Sequence, residues 1–209
     1  STDAVRFLAW TFAFLFFAIV IGFRFRVGGD WEAYLGYLDR ATLMSFSEIF
    51  KNGDPGYYFL NWIAVRLGGG IFLVNLVAGA ILVAGVTVFS RQQPMPSLAF
   101  FVAVPYLIIV VGMGYSRQAI ALGFALLALS SFRSQNLPVF IAWVLVGAAF
   151  HKSAVIMLPF AALAIDRNRL WNAVWISIVF LVGFYLFLFD SVDTLWASYI
   201  EADYESQGG

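Results

Sequence analysis

The chain's single histidine stands beside a lysine in a short polar step between two apolar runs. Phe150-His151-Lys152-Ser153 separates residues 137–150 from a second apolar run at 154–165. As a helix, each run would span roughly 20 Å, whereas the hydrocarbon core of a bilayer is about 30 Å thick. His151 and Lys152 then lie either below the membrane surface, where ionisable groups usually mark a site, or in an ordinary interfacial turn. Run length alone leaves both interpretations open.

A second hairpin repeats the arrangement of apolar helix, short turn, serine and basic residue. Residues 112–114 (Gly-Met-Gly) allow a tight reversal, after which Ser116 is placed to cap a helix whose first turn carries Arg117 and Gln118. A helix N-terminus attracts anions through its free N–H groups and its positive dipole end. The two hairpins therefore predict phosphate binding.

Other arginines are expected to extend this cationic surface, because the planar arginine fork fits phosphate oxygens. The candidates are Arg24, Arg26 and Arg66. The alternative for any one basic residue is snorkelling of its charge to lipid headgroups. We favour that alternative for three residues. They are Arg26, Arg40 and Lys51. A cation inside a tight hairpin has less freedom to snorkel, which favours the site interpretation for Arg117 and the His-Lys pair.

Acidic residues on the same segment supply candidates for a general base. Asp30, Glu32 and Asp54 are able to deprotonate a hydroxyl, although solvated loop charge or an ion pair within the loop explains Glu32 and Asp39 better. Metal chemistry is weakly supported, because one histidine, no cysteine and no clustered carboxylate triad are present. No metal and no cofactor are expected.

The composition places these residues in a polytopic membrane protein. Of 209 residues, 62% are hydrophobic and 11% are charged, which is well beyond the composition of soluble domains. The formal net charge is zero, so nothing in the overall charge indicates a nucleic-acid partner. We expect one integral membrane domain over residues 1–209, with membrane lipids as partners and other membrane proteins as candidate partners.

The apolar runs predict an all-α transmembrane bundle of about seven spans. They are residues 5–23, 71–89, 98–111, 116–132, 137–150, 154–165 and 173–189. Ser153 is placed to cap the sixth helix, and Pro159 should kink it. The outer loop, residues 24–56, contains a predicted amphipathic helix at 30–40 that lies on the membrane face. Residues 57–66 predict a half-length interfacial or re-entrant helix that ends at a glycine run.

Counting crossings puts the candidate residues on one face. The outer loop, the turn at 112–118, the His-Lys turn and the polar tail at 190–209 all fall on it. Basic residues are split between the two faces, five against seven, so the positive-inside rule does not choose cleanly. We place the short loops in the cytoplasm because they carry a single acid, Asp166.

Four islands of sequence, in this order, resemble the EpsG-type membrane proteins, relatives of the Wzy polymerases of bacterial exopolysaccharide and O-antigen. They are Gly29-Asp30 with Tyr34; Asp54-Pro55-Gly56-Tyr57 with Leu60-Asn61; Arg117-Gln118-Ala119-Ile120-Ala121; and Phe150-His151-Lys152-Ser153-Ala154. The second island often carries Glu in the family where this chain has Asp54. Family members are usually longer, which predicts that this is a partial chain lacking further C-terminal spans.

The resemblance implies a metal-independent glycosyltransferase with the helical fold of lipid-sugar enzymes, in the bacterial inner membrane. It would join undecaprenyl-pyrophosphate-linked oligosaccharide repeat units on the periplasmic face. On this hypothesis Arg117 and Lys152 bind the pyrophosphate, Asp30 or Asp54 orients or deprotonates the acceptor, and His151 helps either. The predicted substrate contacts are Arg24, Arg66, Gln118 and Tyr34.

The competing hypothesis is a non-catalytic membrane protein, either a lipid-sugar transporter or a structural subunit of a larger membrane complex. The shortness of the chain favours it. The grouping of cations on one face favours the enzyme.

Overall fold

The computed structural model describes residues 2–51, 53–132, 136–163 and 169–187. Every regular element in these ranges is helical, which confirms the all-α prediction. The α-helices are α1 (Thr2–Gly22), α2 (Trp31–Leu43), α3 (Phe46–Ile49), α4 (Pro55–Arg66), α5 (Gly70–Arg91), α6 (Pro96–Ala103), α7 (Gly112–Gly114), α8 (Ser116–Ser131), α9 (Leu137–Phe150) and α10 (Arg169–Phe187). The predicted polar tail at 190–209 and the last two residues of the seventh predicted span lie outside the described residues.

Three helices of the described part are long and apolar enough to cross a membrane. They are Asp3–Gly22, Gly70–Arg91 and Pro96–Gly114, and Leu137–Phe150 is a shorter apolar helix. The chain is thus a helical membrane bundle, while the count of seven spans stays a prediction. The first of these helices buries little of its surface, and large apolar side chains such as Phe7 and Phe12 are exposed along it, as expected for contact with lipid.

Helix α5 is the centre of the bundle, with α1 on one side and α8 on the other. Small residues allow these close approaches. A Cβ atom on Gly79 would lie 2.9 Å from the Ile21 side chain of α1, and one on Gly85 would collide with the backbone carbonyl of Gly123 in α8. Helices in membranes gain stability from such tight packing, since the hydrophobic effect is weak between them.

The third predicted span is longer and less regular than the sequence indicated. A π-helical stretch, Val104–Val111, joins α6 to α7, so that one continuous helix runs over Pro96–Gly114. Pro105 lies in the first turn of that stretch and lacks the N–H group that an α-helical bond would need. The predicted reversal at 112–114 is wrong, because these residues remain helical and the chain turns at Tyr115.

Helices α2 and α4 form a second layer at one end of α5. The apolar stripe predicted for the amphipathic helix is buried at Trp31, Tyr34 and Leu38, and its packing partners include Tyr57 of α4 and Ile120 of α8. The stripe therefore packs against protein. The half-length helix is confirmed as α4, which ends at Arg66 before glycines with left-handed backbone angles.

The segment after the His-Lys turn differs from the predicted sixth helix. Lys152–Leu163 is a 3₁₀ helix, and its serine does not act as a helix cap. Ser153 instead places its Oγ 2.7 Å from Nδ1 of His151. The segment packs on α8, α9 and α10, with Val155 and Leu158 buried among them. Tertiary packing rather than local capping determines its form.

The crossing of α5 and α8 generates a stability prediction. In Gly123→Ala the new Cβ would lie 2.6 Å from the backbone oxygen of Ile81, which cannot rotate away. We expect a loss of about 1–3 kcal/mol, measured as a lower melting temperature in detergent. Gly36→Ala is the matched control, because its Cβ would meet only the Arg40 guanidinium, at 3.9 Å. That variant should be neutral or slightly stabilising. Equal melting temperatures for the two variants would contradict the close crossing.

Candidate functional site

A buried arginine organises the end of the bundle where the outer loop leaves α1. Arg24 is 3% exposed, and its guanidinium donates to the Gly112 carbonyl at 2.9 Å, to Asn75 Oδ1 at 3.1 Å and to Ser116 Oγ at 2.6 Å. Ser116 Oγ in turn donates to Asn75 Oδ1 at 2.8 Å. This network joins the end of α1, the second turn of α5 and the start of α8, and it holds the N-terminus of α8 in place.

This observation bears on two predictions. The Arg24 side chain is enclosed by protein, and its three hydrogen bonds support a positioning role, while its predicted substrate contact stays a prediction. Ser116 is not the cap of α8, since it is the first helical residue and Tyr115 holds the cap position. The serine hydroxyl is used instead in the long-range network. The free energy gained by pairing a buried guanidinium group is larger than that gained by capping one helix.

The next residue along α8 forms the central feature of the site. Arg117 Nη1 lies 2.9 Å from Asp54 Oδ2, the single ion pair among the described residues. The aspartate side chain is 8% exposed, whereas 26% of the arginine side chain remains exposed. Asp54 Oδ1 and Arg117 Nε are buried without a hydrogen-bond partner in the described part of the chain. The pair therefore keeps one acceptor and one donor uncommitted beside a partly open cation.

Three tyrosines enclose the pair on the side of α2 and α4. The Arg117 guanidinium lies over the Tyr37 ring, 5.0 Å from its centre, and Tyr57 packs edge-on against Tyr37. The Tyr34 hydroxyl lies 3.4 Å from Asp30 Oδ2. Burial, and then the Asp30 carboxylate, raise the pKa of Tyr34 to about 12, although the charge of Arg117 opposes this. Tyr34 therefore stays a neutral donor at physiological pH.

The His-Lys turn lies against the same pair. A Cβ atom on Gly53, next to Asp54, would lie 3.7 Å from Lys152 Nζ. Burial lowers the pKa of His151; the Asp54 carboxylate opposes that shift, while the charges of Arg117 and Lys152 add to it. The backbone N–H of Ser153 donates to His151 Nδ1 at 3.3 Å, so this nitrogen carries no proton and the neutral ring presents its N–H at Nε2.

The structure does not bring every predicted residue together. Arg66 is exposed at the far end of α4, roughly 18 Å along the helix from Asp54, and its guanidinium stacks on Trp62 at 3.6 Å. Gln118 is exposed, and no contact joins it to the Asp54–Arg117 pair among the described residues. It lines a groove of about 360 Å³ together with Ser153, Leu122 and further residues of the π-helical stretch and the 3₁₀ helix.

Sequence reasoning assigned no role to Asn75, Tyr37 or Tyr57. Asn75 had a usable signal, since an asparagine inside an apolar helix is costly unless it is paired. Tyr57 stands in the second family island, whereas Tyr37 had no signal beyond helical spacing, which equally indicates packing. Around this site the described residues contain no group of three His, Cys, Asp or Glu able to hold a metal ion.

The positioning role of Arg24 predicts a large effect on folding. Arg24→Gln shortens the side chain and leaves buried acceptors on Gly112, Asn75 and Ser116 without full pairing, which should cost at least about 3 kcal/mol. We expect a lower melting temperature and a lower yield of folded protein. Arg26→Gln is the matched control, because Arg26 is exposed, and it should behave as wild type. Unchanged thermal stability of Arg24→Gln would exclude the positioning role.

The lowered pKa of His151 predicts a pH dependence of stability. Because the folded ring is harder to protonate than the unfolded one, the unfolded state gains protons as the pH falls below 6.5, and the folded state loses stability. His151→Asn keeps an acceptor near the Nδ1 position and does not titrate. Its melting temperature should therefore fall less than that of wild type between about pH 7.5 and pH 5.5. Parallel curves for the two proteins would contradict a depressed pKa.

Comparison with known proteins identifies the family to which the chain belongs. No curated protein and no solved structure matches it. A model of the EpsG family matches residues 7–209, which is nearly the full length. Together with the apolar helices described above, this match shows that the protein is a helical membrane protein that belongs to the EpsG family.

Proposed function

We propose that the protein is a polysaccharide polymerase-like glycosyltransferase that joins oligosaccharide repeat units carried on undecaprenyl pyrophosphate. Family membership supports the polysaccharide context. The observation that carries the proposal is the Asp54–Arg117 pair, in which a partly open guanidinium and an uncommitted carboxylate oxygen lie side by side. The guanidinium can stabilise the charge of a leaving phosphate, and the carboxylate oxygen can accept a proton from an attacking hydroxyl.

The leaving group defines the task of the cations. In the proposed reaction the acceptor oxygen bonds to the anomeric carbon of the donor sugar, and the bond from that carbon to the pyrophosphate oxygen breaks. Negative charge then grows on the pyrophosphate. Arg117 and Lys152 would stabilise this charge from α8 and from the His-Lys turn, in the manner of other preorganised electrostatic sites. In this scheme the two side chains carry out the charge neutralisation that a divalent metal supplies in other glycosyl transfers.

Asp54 is the better candidate for the base. Its Oδ1 has no hydrogen-bond partner among the described residues, so an acceptor hydroxyl could donate to it. Asp30 is placed less well, because its carboxylate lies against the Tyr34 hydroxyl. His151, with its N–H at Nε2, would donate to a phosphate or sugar oxygen. Tyr34 then acts indirectly, by holding Asp30 and the start of α8 in position.

The groove beside Gln118 is suited to the lipid part of the substrate. Apart from Gln118, Ser153 and Tyr106 its lining is aliphatic, with Leu107, Leu122 and Met157 among the contributors. Gln118 and Ser153 are the sequence neighbours of Arg117 and Lys152, so the groove lies next along the chain to the two proposed phosphate ligands, although neither of these cations lines it. A polyprenyl chain could run along it while the pyrophosphate meets the cations. We further propose the bacterial inner membrane as the location, with this end of the bundle on the periplasmic side.

A non-catalytic role is the second candidate. It is favoured by the fact that Asp54 and the Tyr37 ring already contact the Arg117 guanidinium, as they would in a purely structural ion pair. A lipid-sugar transporter or a subunit of a larger membrane complex would keep such a pair for stability alone. The catalytic and the non-catalytic role can be distinguished by variants that remove the charges of these side chains but keep their size.

The test compares Lys152→Gln with the double variant Asp54→Asn/Arg117→Gln in a polymer-producing strain. The double variant keeps a side-chain hydrogen bond possible and avoids a buried unpaired charge. We expect each to lower polymer formation about 100-fold or more while the protein remains folded in the membrane. Arg26→Gln is the control and should support normal polymer. Normal polymer amount and chain length in both test variants would overturn the proposal and support the non-catalytic role.

A further inference from the structure

A second polar crevice lies between α1 and α5 at the end of the bundle opposite Arg24. It has a volume of about 580 Å³, and its lining includes Arg6 and Trp10 of α1 together with Thr87 and Arg91 of α5. Asn75, which binds Arg24, lies 16 residues before Arg91 on the same helix, or about 24 Å along its axis. The crevice is therefore separate from the site at the Asp54–Arg117 pair.

Its charge is unbalanced towards the positive. Arg6 and Arg91 come from different helices and line one cavity, yet neither forms an ion pair within the described residues. The only acid in the lining is Asp3. The Thr87 hydroxyl is buried there without a hydrogen-bond partner in the described part of the chain. The two guanidinium groups thus offer donors to a ligand that carries several anionic oxygens.

The rest of the lining is apolar. Phe7, Trp10 and Phe14 follow one side of α1 away from the arginines and towards the middle of the span, and Val88 lies on the α5 side. Trp10 is fixed by an edge-to-face contact with Phe100, with ring centres 5.4 Å apart. A ligand that fills the whole crevice needs an anionic head at the helix ends and a hydrocarbon chain along the aromatic wall.

We propose that this crevice binds an anionic phospholipid, with its phosphate between Arg6 and Arg91 and one acyl chain against Phe7, Trp10 and Phe14. Charge complementarity and the mixed lining select a lipid over a free phosphate, which would leave the apolar wall uncovered. The lipid would join α1 to α5. Such a link would add contacts to α1, which has few within the protein. Only 11% of the residues in its most apolar stretch are buried, against 50% in the corresponding stretch of α5.

The test measures thermal stability of the whole protein in zwitterionic detergent after addition of phosphatidylglycerol, phosphatidylcholine or inorganic phosphate. A ligand that binds only the folded state raises the melting temperature. Phosphatidylglycerol should raise it by several degrees in wild type and in the Arg26→Gln control, and by less than half as much in Arg6→Gln/Arg91→Gln. Phosphatidylcholine and inorganic phosphate should give little change.

Native mass spectrometry of the same samples should show retained phosphatidylglycerol in wild type and its loss in the double variant. If the double variant does not fold, the single variants Arg6→Gln and Arg91→Gln are measured instead, and each should bind less of the anionic lipid. An equal stability gain from phosphatidylcholine, a gain from inorganic phosphate as large as that from the lipid, or an undiminished gain in the variants would overturn the proposal.

Discussion

The burial of Arg24 is the constraint on which the rest of this structure depends. Burying a guanidinium group in an apolar bundle is costly unless its donors find acceptors, and three acceptors from distant parts of the chain meet around Nη1 and Nη2 of Arg24. Those acceptors fix where α8 begins relative to α1 and α5. Arg117 follows Ser116 directly, so the position of the candidate site is set by a network that does not itself face a ligand.

Burial separates the cations into different roles. Arg24 is enclosed and supports structure, whereas Arg117 is partly exposed and is paired with a more deeply buried acid. The tyrosines of α2 and α4 then limit the directions from which anything can reach the pair. Arg66, although chemically equivalent, stacks on Trp62 at the other end of α4 and contributes nothing to this environment. Residue type alone cannot distinguish these cases.

The sequence predicted those features that local patterns determine. Apolar runs located α1, α5 and α9, and the spacing of Trp31, Tyr34 and Leu38 located α2 and its buried stripe. The sequence placed Asp54 and Arg117 on one face but did not predict their contact, because a sequence separation of 63 residues carries no information about distance in space. Local rules failed where long-range contacts compete with them. Ser116 binds Arg24 instead of capping α8. The segment after His151 packs on three helices and is a 3₁₀ helix where an α-helix was predicted.

The chain order of the Arg24 network has a consequence for assembly of the protein in the membrane. Arg24 emerges from the ribosome long before its partners, since Gly112 and Ser116 follow it by 88 and 92 residues. Until α8 exists, Asn75 is the one side-chain acceptor of this network already made, and the other guanidinium donors have to bond to water or lipid headgroups, which favours a position at the membrane surface. Formation of the complete network is thus a late step in assembly, and it requires that α1, α5 and α8 are already packed together.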